Sequence, residues 1–131
     1  MSEGKIKYFQ DKVLLPSYDV FEEDRYFEPG LENNIKIINI QKNNKNYRLI
    51  LTICEDLFND HEITGIKKYN VKPLDTVKEK VDYIINISAS PFSKKKIQLR
   101  NTLFKKISTD TNSFIVYVNQ VGANDDIVFD G

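Results

Sequence analysis

The chain has 131 residues, in which 19 Lys and Arg balance 19 Asp and Glu and leave no net charge at pH 7. That balance argues against nucleic acid or an anionic membrane as the main partner, since both need a concentrated positive field. Hydrophobic residues at 40% and charged residues at 29% describe a globular chain of one-domain size rather than a disordered one. Apolar stretches run only a few residues, too short for a helix that crosses a bilayer. The opening MSEGKIKYFQ holds no apolar core of a secretory signal. A single cysteine closes no internal disulfide, which points to a reducing, cytoplasmic setting.

Residues 7–15 form a short mixed run, read as a first strand that carries Lys12 beside Val13, Leu14 and Leu15. The stretch 15–30, broken by Pro16, Pro29 and Gly30, reads as a long loop with aromatic anchors. Two β-branched runs, 34–41 and 47–54, flank an Asn-rich turn and predict a hairpin. Residues 49–54 are apolar except for Thr52, the pattern of a strand covered on both faces. Residues 60–72 are a polar surface loop holding the one histidine, His61, and 74–80 a short helix. Residues 81–90 read as another buried strand. The spacing of Ile97, Phe104, Ile107 and Thr111 predicts a helix over 93–110 with Ser93 as its N-cap. A third apolar strand follows at 114–122, then a turn at 124–126 and the strand-like IVFDG. Alternating strands and helices give an α/β architecture. Three buried strands and one long helix cannot all be covered on both faces, so the rest of a larger domain, or partner chains, are expected to cover what remains.

Three places carry candidate chemistry. Cys54 ends an apolar strand, where α/β folds present reactive groups; a lone cysteine there reads more readily as a small apolar filler. Lys12 sits among apolar neighbours, where its ammonium is either aimed at something specific, such as a thiol or an oxyanion, or snorkels to water. Ser88, Ser90 and Pro91 end a strand before the amphipathic helix and offer hydroxyls and N–H groups to a polar ligand, or simply cap the helix. The lysines at 94–96 oppose the helix dipole, which suggests another task for one of them. With one His and one Cys, a zinc site is not expected, and the five glycines form neither a phosphate-cradling loop nor a dinucleotide fingerprint.

Four segments taken together resemble the carbon–nitrogen hydrolase (nitrilase) superfamily, and more narrowly the glutaminase domain of glutamine-dependent NAD(+) synthetases. They are KVLLPSYDVFEEDRYFEPG at 12–30, ICEDLF at 53–58, NISASPFSKKK at 86–96 and VNQVGANDDIVFDG at 118–131. They fall in the family's order, and the first and last are the most specific. The resemblance implies a partial nitrilase-type α-β-β-α sandwich. Residues 1–131 would be the C-terminal portion of a glutaminase domain, truncated at both ends. It implies a cysteine amidase that releases ammonia from L-glutamine for amidation of nicotinic acid adenine dinucleotide to NAD.

By motif position, Cys54 corresponds to the nucleophile and Lys12 to the triad lysine, with the backbone N–H of Glu55 as second oxyanion donor. Tyr18, Ser90, Lys96 and Glu55 correspond to glutamine contacts, with Phe58 lining the same pocket. The family's general-base glutamate lies well upstream of the lysine, and Glu3 sits in no matching context, so the isolated chain is expected to be nearly inert. No cofactor is expected in this chain, because ATP and Mg would belong to the synthetase domain. That domain or homologous subunits, in a homo-oligomer, are the expected partners. The alternatives are a non-catalytic remnant or interaction module of the same fold, and an amidase of another nitrilase branch.

Overall fold

The computed structural model describes residues 4–32, 34–64 and 69–131; Glu3 and residues 65–68 of the polar loop lie outside them. Strand β1 (Ile38–Lys42) and strand β2 (Lys45–Ile53) pair antiparallel through a two-residue turn. Asn43 and Asn44 both take positive φ there, at 51° and 58°. Asn tolerates that region, and the resulting primed turn matches the twist of its flanking strands, so the expected hairpin forms with a tighter turn than the four polar residues predict.

Strand β3 (Tyr83–Ser88) pairs parallel with β2, and strand β4 (Phe114–Asn119) parallel with β3, giving the order β1-β2-β3-β4. Helix α1 is the single turn His61–Thr64, and α2 (Lys94–Thr111) is the β3-to-β4 crossover. The short strands β5 (Val121–Asn124) and β6 (Ile127–Asp130) form a separate antiparallel ribbon around the Asp125 turn. The α/β class read from the sequence holds. Among the described residues it takes the form of one mixed four-stranded sheet with a helix on one side.

Register explains which side. Ile50, Ile84 and Ile115 form one cross-strand row, and Thr52, Asn86 and Tyr117 the next. With Leu57, Val81, Leu103 and Ile107 the apolar members of these rows make the core beneath α2, each fully buried side chain stabilising by about 1.5–3 kcal/mol. The alternate rows, Leu49–Tyr83–Phe114, Leu51–Ile85–Val116 and Ile53–Ile87–Val118, point the other way. There Phe114 is 71% exposed and Val118 51%. The double cover predicted for these strands is therefore one-sided within this chain, as the shortage of helices implied.

Three local expectations are corrected. Residues 7–15 form no strand, because the N–H groups of Val13 and Leu14 bond a side-chain carboxylate and Pro16, just beyond, has none to give. Residues 74–80 form no α-helix but end a 3-10 turn, Pro73–Thr76, with Pro73 in its first turn. On α2 it is Arg100, Leu103 and Ile107 that are buried, while Ile97 is 47% exposed. Ser93 holds the N-cap position in extended conformation without a side-chain cap bond, and Asn112 closes the helix in the left-handed region at φ 49°.

Candidate active site

Because β2, β3 and β4 run parallel, Cys54, Ser88, Ser90 and Asn119 all gather at one edge of the sheet, at or just past the strands' C-terminal ends. Cys54 opens a 3-10 turn, Cys54–Leu57, at φ +46°. A non-glycine residue in that region stores about 1–3 kcal/mol of strain and persists only where its surroundings over-determine it.

Here they do. The Asp56 carboxylate accepts from its own turn at Ile53 N (3.1 Å) and from the distant Val13 N (3.0 Å) and Leu14 N (2.8 Å). Asn86 donates to Thr52 Oγ1 (2.9 Å) and to the Cys54 carbonyl (3.3 Å), and its own carbonyl accepts from Ser88 Oγ at 2.7 Å. Burial pushes Asp56 above the ordinary carboxylate value, and the three N–H donors offset only part of that rise. One carboxylate thus fixes both the cysteine turn and the extended segment that carries Lys12.

Lys12 forms a half-buried ion pair with Glu23, on the 3-10 turn Glu23–Arg25 of the aromatic loop. The Lys12 carbonyl accepts from Gly30 N at 2.7 Å. A Cβ at Gly30 would stand 2.8 Å from Asp11 Cβ and 3.2 Å from two backbone oxygens, so this approach requires glycine. Lys12, Glu23, Phe21, Ile53, Cys54 and Ser88 line a cleft of about 640 Å³.

A second, smaller chamber of about 150 Å³ shares Cys54 and Phe21 with that cleft. Tyr18, Glu55, Phe58, Ser90 and Lys96 line it. Its volume is well below the about 300–1,000 Å³ of a drug-sized pocket and suits a small polar molecule. Tyr18 Oη donates to Glu55 Oε1 at 2.7 Å. Burial and that bond push the phenol far above its ordinary value, so it stays a protonated donor. Ser90 is buried and clamped through its backbone by the Asn119 side chain. Lys96, in the first turn of α2, is the member of the lysine run whose side chain reaches this wall.

Of the residues singled out in the sequence, Lys12 and Ser88 line the cleft, Tyr18, Glu55, Phe58, Ser90 and Lys96 line the chamber, and Cys54 lines both, whereas Pro91 lines neither. His61 stands apart, on α1. The sequence reading missed Glu23, Arg100 and Asp130. A carboxylate paired across a loop leaves no periodic trace, and Arg100 looks like one more surface charge on α2 until its partner is known. Among the described residues no three His, Cys, Asp or Glu side chains are grouped to hold a metal ion. No described helix is long and apolar enough to cross a membrane.

Fold and site define an α/β protein with a thiol at the C-terminal edge of parallel strands, flanked by a paired lysine and a small polar chamber. No protein-family model matches the chain. The glutamine-dependent NAD(+) synthetase of Synechocystis sp. is 44% identical over 132 residues, an alignment covering all of this chain and 23% of that protein. The enzyme of the same description from Thermotoga maritima is 34% identical, again over all of this chain and 20% of its own length. Among solved structures, a glutamine-dependent NAD+ synthetase from Acinetobacter baumannii in complex with ADP matches with a TM-score of 0.75 at 30% identity. That match covers 100% of this chain and 22% of the solved one. The chain thus spans about a fifth to a quarter of the length of these relatives.

Proposed function

We propose that this chain is part of the glutamine-hydrolysing portion of a glutamine-dependent NAD(+) synthetase, within a nitrilase-type domain. Cys54 is the nucleophile. Sulfur bonds to the side-chain carboxamide carbon of L-glutamine and the C–N bond breaks, the proton given up by the thiol ending on the nitrogen that leaves as ammonia. Water then attacks the γ-glutamyl thioester, releasing glutamate and restoring the thiol. Lys12 and the Glu55 N–H stabilise the oxyanion of each tetrahedral intermediate. A zwitterionic substrate needs a carboxylate or hydroxyls for its ammonium and a cation for its carboxylate. Glu55, Tyr18, Ser90 and Lys96 supply that set. The ammonia is consumed at an ATP-dependent synthetase domain outside these 131 residues.

The observation that supports this reading most is that one 150 Å³ chamber is lined by Cys54 and by both kinds of partner an amino acid requires. The test is ammonia release from glutamine by the full natural polypeptide. Cys54→Ala and Lys12→Ala are expected to abolish it while synthesis from added ammonia persists; an unchanged rate in Lys12→Ala removes Lys12 from the mechanism.

A second reading, a non-catalytic interaction module, draws support from the exposed Phe114, Val116 and Val118. Retention of ammonia release by Cys54→Ala would leave that reading standing and overturn the first.

A further inference from the structure

We propose that Asp130, Asn119 and Arg100 form a positioning device for the chamber, holding Ser90 and Lys96 to receive the amino-acid end of the substrate; this rests on the glutaminase reading. The device is built at the seam between two parts of the fold. Asn119, the last residue of β4, grips the Ser90 backbone twice, its Oδ1 accepting from Ser90 N at 2.8 Å and its Nδ2 donating to Ser90 O at 3.1 Å. The same Nδ2 lies 3.3 Å from Asp130 Oδ1, the last side chain of β6. That one oxygen also accepts from Arg100 Nη2 at 2.9 Å.

Arg100 is only 6% exposed, sits one helical turn beyond Lys96 on α2, and lines the chamber with it. Its guanidinium lies over the Tyr117 ring at 5.6 Å. A further bond, Phe92 N to Val128 O at 2.7 Å, ties β6 to the loop that leads into α2.

A single carboxylate oxygen at the open end of the β5–β6 ribbon, opposite its turn, therefore joins the Ser90 wall to the Lys96 wall. Burying a guanidinium contributes little net stability even when it is paired, so such a pair is better understood as fixing geometry. The planar fork of Arg100, held on one side by Asp130 and on its face by Tyr117, leaves the first turns of α2 little freedom to rotate. Neither Asp130 nor Arg100 is assigned contact with the reacting atoms. They act through Ser90 and Lys96.

The experiment compares two rates of Cys54 modification in the full natural polypeptide. One reagent is a diazoketone built on the glutamine skeleton, whose diazo carbon takes up a proton and then bonds to sulfur as N₂ departs. The other is iodoacetamide, whose methylene carbon bonds to the same sulfur as iodide departs, and which has no amino-acid end. The ratio of the two rates reports how well the chamber is set. In Asp130→Asn, which preserves shape and removes charge, the ratio is expected to fall by about 10- to 100-fold, the range for a misplaced substrate-orienting wall. The iodoacetamide rate itself should change by less than about twofold, because thiol chemistry is untouched. A purely structural role would slow both reagents together and leave the ratio alone.

Should Asp130→Asn fail to fold, Arg100→Lys carries the same test. It keeps the charge, loses the planar fork, and is expected to lower the ratio at an unchanged iodoacetamide rate. A ratio that is unchanged or increased in the folded variants overturns the positioning role while leaving the glutaminase reading intact. A wild-type protein with no preference for the glutamine-shaped reagent overturns both.

Discussion

Asp56 is the residue on which the site's geometry turns, since it gathers N–H donors from sequence positions 42 and 43 residues upstream and from its own turn. Replacing it with Ala leaves three backbone donors without their acceptor, each costing about 1–3 kcal/mol where it stays buried. Asp56→Ala is therefore expected to destabilise by at least about 3 kcal/mol in urea unfolding, and Asp56→Asn, which keeps an acceptor, by markedly less. Gly30→Ala is a second test, because the added methyl meets Asp11 and two backbone oxygens. A loss of about 1–3 kcal/mol is the expected cost of forcing the loop apart. At this scale the sequence was legible only in part. Cys54, Lys12 and the chamber residues could be named from their places in motifs. The partners that hold them, Asp56 for the backbone of Val13 and Leu14 and Glu23 for Lys12, answer contacts that exist only once distant segments meet.

At the scale of elements, the strands and the long helix were readable because their periodicity is strong, and the misreadings fall where other forces outweigh periodicity. Residues 7–15 are apolar enough for a strand, but Val13 and Leu14 bond to a side chain instead of a neighbouring strand. Ile97 has helical spacing yet lies on the outer side of α2, while Arg100 turns inward to Asp130. The helix end offers a direct test. Asn112 adopts φ 49°, ψ 45°, and its N–H reaches the Ser108 and Thr109 carbonyls. Asn112→Gly is expected to be neutral or stabilising, whereas Asn112→Val should cost about 1–2 kcal/mol of thermal stability, the usual penalty for a left-handed residue with a Cβ.

Two ion pairs that join elements set the acid response. Arg100 holds Asp130 below its ordinary value. Burial raises Asp60, but the hydrogen bond from Lys106 and the Ile63 N–H outweigh it and leave Asp60 lowered. A carboxylate lowered by folding contributes stability that is present above its unfolded value and lost as pH falls through the folded one. Asp56, which is raised, works in the opposite sense and favours the fold as pH falls through its own window. Melting temperature should therefore drop as pH falls below about 4, and the drop should be shallower in Asp60→Asn and Asp130→Asn than in the wild type.

Across the whole molecule, one sheet face packs on α2 and the other presents three apolar rows, with Phe114, Val116, Val118 and Ile87 exposed. The count of buried-type strands against helices in the sequence anticipated this imbalance. Which face would be left open depends on register, which a one-residue slip inverts and the sequence does not fix alone. An open apolar face of this kind marks an interface. The 131-residue chain is expected to self-associate in sedimentation, with Val116→Lys/Val118→Lys moving it toward monomer. A monomeric wild-type chain at high concentration would show that the face is tolerated uncovered.

The edge of the same sheet carries the central claim, that the sulfur of Cys54 attacks a glutamine carboxamide. The most direct measurement is peptide-mapped labelling of the full natural polypeptide by the glutamine-shaped diazoketone, with and without L-glutamine. A single modification at Cys54 that glutamine suppresses is the predicted result. Labelling of Cys54 to the same extent whether or not glutamine is present would contradict it.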